Sequence, residues 1–66
     1  MRPREVVRVF PVGNSWLVTW RAGSEQRSFD GKEAAISFAT GRARTMHPCT
    51  VVVVGKNGAT EYELNF

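Results

Sequence analysis

The stretch Thr50-Val51-Val52-Val53-Val54-Gly55-Lys56-Asn57-Gly58-Ala59-Thr60-Glu61-Tyr62-Glu63-Leu64-Asn65-Phe66 decides the fold. A threonine followed by four valines is a β-branched run, whose stiff side chains suit a pleated strand better than a helix. Beyond it, Tyr62, Leu64 and Phe66 alternate with Glu61, Glu63 and Asn65, a period of two that marks a second strand. Between the two runs, Asn57-Gly58 is the favoured pair for a two-residue type I′ turn. With that pair as the loop, Val54 opposes Glu61, Val53 opposes Tyr62 and Val51 opposes Leu64. Apolar then meets apolar on one face, and Val52 and Val54 share the outer face with Glu61 and Glu63.

Working back from this hairpin, Pro48 ends whatever helix precedes it by His47. That helix opens at Asp30-Gly31-Lys32-Glu33. There Asp30 is placed to accept a bond from an orphan backbone N–H, with Glu33 three residues later as in a capping box. Ala35, Ile36, Ala39, Ala43 and Met46 form one apolar stripe at helical spacing, flanked by Phe38, and small alanines let a helix lie close to a sheet. Gly41 weakens its later turns.

Further back, Val6 to Pro11 reads as a strand, with Val7 and Val9 on one face and Arg8 and Phe10 on the other. Gly13-Asn14 supplies turn chemistry. Trp16 to Arg21 reads as its partner, with Trp16, Val18 and Trp20 on one face and Leu17, Thr19 and Arg21 on the other. Ala22 to Glu25 breaks the pattern, and Gln26 to Phe29 adds at most a short extended segment. The expected fold is α+β in the order ββαββ, an antiparallel sheet of two hairpins with one helix packed on one face. Residues 1–5 form a tail and 6–66 the single domain.

The chain resembles a family of short bacterial proteins known as a domain of unknown function, family number 2188. The resemblance rests on Val9-Phe10-Pro11 followed by Trp16-Leu17-Val18, on Phe29-Asp30-Gly31-Lys32-Glu33-Ala34-Ala35-Ile36, and on Val52-Val53-Val54-Gly55-Lys56-Asn57-Gly58. Gly31 departs from the Thr expected at that helix entrance. The resemblance implies the same strand-strand-helix-strand-strand layout and brings no catalytic residue with it.

A chain of 66 residues makes one small domain, near the lower limit of independent stability. Its two Trp, four Phe and one Tyr must therefore be well used, and an interior cofactor cavity is not expected. Homodimerisation is an easy way to gain burial. The one cysteine, Cys49, cannot close an internal disulfide, which points to a reducing, cytoplasmic setting. No apolar run approaches a membrane span.

The net charge is +3, and seven of the nine cations are arginine. Residues 1–49 hold eight cations (Arg2, Arg4, Arg8, Arg21, Arg27, Lys32, Arg42, Arg44) against four anions (Glu5, Glu25, Asp30, Glu33). Residues 50–66 hold Lys56 against Glu61 and Glu63. A basic balance of this kind permits electrostatic binding of nucleic acid, with Arg2, Arg4, Arg8, Arg21 and Arg27 as the contacts.

Candidate chemistry is thin. His47 and Cys49 flank a proline with no third group to orient a nucleophile pair, and one His with one Cys cannot make a metal site. Gly55-Lys56-Asn57-Gly58 joins two strands and lacks phosphate-loop spacing. No catalytic residue, cofactor, metal or small-molecule substrate is expected. Trp16 and Trp20 share a phase with Val18, which favours a place in the core over the alternative of a base-stacking platform. The opposite face then presents Arg8, Phe10, Leu17, Arg21, Val52 and Val54 as a partner-binding surface. The expected function is a non-enzymatic module that binds protein or itself through the sheet, with weak nucleic-acid binding as the alternative.

Overall fold

A computed structural model describes residues 4–66. Five strands and one helix follow in the order β1 (Glu5–Val12), β2 (Ser15–Trp20), β3 (Glu25–Phe29), α1 (Lys32–Thr45), β4 (Cys49–Val54) and β5 (Thr60–Asn65). They form a small α+β domain with a five-stranded mixed sheet in the spatial order β3-β2-β1-β4-β5. Two features correct the ββαββ expectation. Glu25–Phe29 is a full strand, so three strands precede the helix. The two hairpins do not make a purely antiparallel sheet: β1 and β4 pair in parallel through Arg8↔Val52 and Val9↔Val53. Parallel neighbours need a long crossover, and β2, β3 and α1 together supply it.

Glu5, read from the sequence as part of an N-terminal tail, belongs to the sheet. Residues 1–3 lie outside the described residues, whereas Glu5 already opens β1, its N–H donating to the Pro48 carbonyl at 3.0 Å. Arg4 donates from its guanidinium to the Cys49 carbonyl at 3.0 Å and so holds this end of the sheet.

The turns follow from residue type. Gly13 sits at φ +59 in the two-residue β1–β2 loop while Asn14 does not turn left-handed, the pattern of a type II′ hairpin. In the β2–β3 loop, Arg21 and Ala22 adopt φ +54 and +57, and Gly23 N–H donates to the Trp20 carbonyl at 3.1 Å. Glu5 steadies this loop by accepting from the Arg21 N–H at 2.7 Å.

The β4–β5 turn departs from the type I′ expectation. Gly58 N–H donates to the Gly55 carbonyl at 3.0 Å, Gly55 N–H donates to the Ala59 carbonyl at 2.9 Å, and only Gly58 is left-handed, at φ +84. The loop therefore holds three residues, Lys56, Asn57 and Gly58. This offsets the strands by one, so Val54 faces Thr60 instead of Glu61. A bulge at Glu61 removes the offset, and Val53↔Tyr62 and Val51↔Leu64 pair as their alternation demands. A slip left uncorrected would have turned Tyr62 and Leu64 to the outer face.

The helix begins one residue later than its capping pattern implied. Gly31 is the N-cap, with no side-chain bond, and Asp30 does not cap. Ala35, Ala39 and Ala43 are completely buried, facing Val7, Val9, Val18, Val51, Val53 and Cys49, with Trp16 and Trp20 almost as deeply set. Burying apolar area at roughly 25 cal/mol per Å² is what holds so small a domain. The helix backbone lies against β1, β4, β2 and β3 but not β5, which it meets through the Lys32 side chain.

Candidate interaction surface

The core occupies one face of the sheet, so side chains of opposite phase make an uncovered outer face. Register places Gln26, Thr19, Arg8, Val52 and Glu63 in one row across all five strands. Ser28, Leu17 and Phe10 lie in the next row, which the parallel pairing continues to Val54. Phe10, Leu17, Val52 and Val54 are half-buried, Arg8 is exposed, and Val6 and Val12 are 39% and 52% exposed.

Two open hollows run along this face. One of about 650 Å³ stretches from Gly23 to Gly58 over Arg8, Phe10, Thr19 and Val54. The other, of about 380 Å³, is lined by Arg4, Glu5, Arg8 and Gly23. Arg8 belongs to both and has no ion-pair or hydrogen-bond partner among the described residues. Its exposed side chain stands between those of Thr19 and Val52 on the neighbouring strands.

Of the surface residues read from the sequence, Arg8, Phe10, Leu17, Val52 and Val54 come together here. Arg21 does not join them, because the strand ends at Trp20 and Arg21 lies in the β2–β3 turn. Glu61 leaves the outer face as well. The bulge swings its carboxylate to the helix side, where Lys32 Nζ donates to Oε1.

The arginines expected to contact nucleic acid are dispersed. Arg2 lies outside the described residues. Arg4 is tied to backbone carbonyls at one end of the sheet, Arg8 stands on the outer face and Arg21 sits in a turn. Arg27 lies on the helix side, its guanidinium 5.7 Å from the Phe29 ring centre and 5.3 Å from that of Phe38.

Sequence reasoning missed the group that Arg27 joins. Phe38 packs against Trp20 and Phe29 with ring centres 5.4 and 5.2 Å apart. Arg42 lies 4.9 Å from the Trp20 ring centre, and Lys32 lies 5.5 Å from that of Trp16. These cations roof the seam between the helix and β2 and β3, shielding aromatic area while their charges stay wet. The available signal was spacing: Arg42 follows Phe38 by four on the helix, and Arg27 precedes Phe29 by two on the strand.

Cys49 is completely buried and points inward, in phase with Val51 and Val53. Burial pushes its thiol pKa up; nearby Glu5 adds to this, while Arg4 and a backbone hydrogen bond from Val7 oppose it. A thiol held protonated is the reverse of an activated nucleophile. His47 is exposed. No three His, Cys, Asp or Glu side chains gather as a metal site among the described residues, and no helix there is long and apolar enough to cross a membrane.

No protein-family model matches the chain, and no curated protein or solved structure does so either. Its surface is therefore read from geometry alone.

Proposed function

We propose that this chain is a non-enzymatic interaction module that binds protein, first of all a second copy of itself, through the parts of the sheet its helix leaves bare. One observation carries the reading: a single helix covers one face of four strands, leaving the whole opposite face open and meeting β5 at Glu61 through Lys32. Half-buried Phe10, Leu17, Val52 and Val54 and exposed Tyr62 and Leu64 then remain in contact with water. Apolar patches of this kind on small soluble domains mark interaction sites. A domain so short also gains more from burial between copies than a large one does. The single buried Cys49 suits a reducing, cytoplasmic setting for this role.

Sedimentation velocity from low micromolar to near-millimolar protein tests the reading. A concentration-dependent shift from monomer to dimer is expected. A monomer across the whole range overturns self-association.

A further inference from the structure

Resting on that reading, we infer that the second copy pairs along β5, antiparallel and centred on Leu64, extending the five-stranded sheet into one of ten strands. The backbone shows that the edge is free. Phe66 N–H donates to the Cys49 carbonyl at 2.8 Å and Cys49 N–H to the Phe66 carbonyl at 3.1 Å, so this is a hydrogen-bonded pair. Such pairs alternate along an antiparallel ladder. Leu64 and Tyr62 therefore also direct their N–H and C=O at β4, while Glu63 and Asn65 direct theirs outward, with no strand beyond among the described residues.

The side chains are equally unfinished. Tyr62 and Leu64 are 41% and 36% exposed on the helix side, where no helix roofs them. The bulge at Glu61 ends the regular edge on one side, so the straight stretch begins at Tyr62 and carries Leu64 on the same face.

Charge selects the register. With Leu64 opposite Leu64 of the second copy, Tyr62 faces Phe66 and Glu63 faces Asn65, so the helix side becomes an apolar ladder and no like charges meet. Sliding by one residue on each strand sets Glu63 against Glu63; sliding further sets Glu61 against Glu63. Both put like charges directly opposite each other, which is destabilising. Sliding the other way sets Asn65 against Asn65 and leaves Tyr62 and Glu63 of each copy without a facing residue among the described residues, so fewer backbone bonds form. The favoured register also makes Glu63 and Asn65, whose backbone groups point outward, the hydrogen-bonded pairs. It forms about four new backbone bonds, with the leucines in a close non-bonded pair.

Cysteine scanning of the intact chain tests this. Leucines in a non-bonded pair have Cα atoms roughly 4.5 Å apart, within disulfide reach. Leu64→Cys is expected to form a disulfide dimer in air, mapped to residue 64 by peptide mass, while buried Cys49 stays reduced. Tyr62→Cys alone is expected not to cross-link, but to do so when mixed with Phe66→Cys. Glu63→Pro removes only an outward N–H, so circular dichroism is expected to show a folded monomer whose dimer is lost. Cross-linking through Val52→Cys in place of Leu64→Cys moves association to the outer face and overturns this inference while self-association stands. Self-linking by Glu63→Cys or Tyr62→Cys without Leu64→Cys overturns the register. Wild-type protein that stays monomeric at every concentration overturns both.

Discussion

At one edge of the sheet the helix roofs β3, with Phe29 against Phe38 and Arg27 laid near both rings; at the other, β5 turns Tyr62 and Leu64 to the same side with no helix above them. The sequences of the two strands invert what their surroundings suggest. β3 reads Glu-Gln-Arg-Ser-Phe, mostly polar, yet lies beside the helix. β5 has the cleaner apolar alternation, yet the helix backbone does not lie over it. An open edge invites further strands unless charge, a bulge or a cover blocks it. At β3, charged Glu25 and Arg27 and the aromatic seam provide the block. At β5 the bulge at Glu61 guards one end, and Glu63 is the one charge on the straight stretch Tyr62 to Asn65 beyond it. The difference teaches that alternation marks what a strand is able to bury, while helix placement decides what it does bury.

The largest test of this contrast is Phe38→Ala. It removes the ring that joins Trp20 to Phe29 and is expected to cost about 2–3 kcal/mol in urea unfolding, somewhat below the value for a fully buried Phe. Tyr62→Ala, measured in dilute solution, is expected to cost less than about 1 kcal/mol because the side chain is already partly wet. Equal losses at the two positions would break the comparison. Ala22→Gly comes next. Ala22 is left-handed in the turn that leads into β3, so glycine is expected to raise stability by about 1 kcal/mol and the melting temperature with it. Arg27→Ala should then lower stability by about 0.5–1 kcal/mol and expose the seam at Phe29 and Phe38, read by thermal melting.

The smallest effect involves pH, at the β5 end of the sheet. Cys49 has a thiol pKa raised above the ordinary 9.0, so the folded state favours the protonated form. Its contribution to stability is intact below the unfolded pKa and is lost as pH climbs through the raised folded one. Wild type should therefore lose stability relative to Cys49→Ala above about pH 9, as followed by denaturant midpoints. Parallel pH profiles for the two proteins would show that the thiol is not held neutral by burial.

Local chemistry made several parts of this molecule legible in the sequence. The valine run, the alanine stripe and the tryptophan phase each follow from residue type and period, and all three meet in the core. The apolar ladder of the last hairpin was also readable, although its turn was not: a three-residue loop and a bulge reached the same register by another route. β3 was underread because an edge strand of polar residues lacks an apolar face to announce it. The parallel β1–β4 pair was hidden because turn signals specify only neighbours along the chain. The proposed cap at Asp30 failed by one residue, since Gly31 took the N-cap position without a side-chain bond. Five of the six residues read as one outer surface fell together because strand phase alone places them. Arg21 did not, because β2 stopped one residue short. The bare upper side of β5 depends on where a helix of 14 residues happens to lie, which no local pattern encodes.

The parallel seam between β1 and β4 divides the sheet into a three-stranded meander and a two-stranded hairpin, each joined internally by a short turn. Both halves form from near neighbours, whereas the seam must bring together residues as distant as Glu5 and Cys49. Closing so long a segment carries an entropic cost that the short turns avoid, and contacts of that range slow folding. During synthesis β1 therefore lacks its parallel neighbour until β4 has been made.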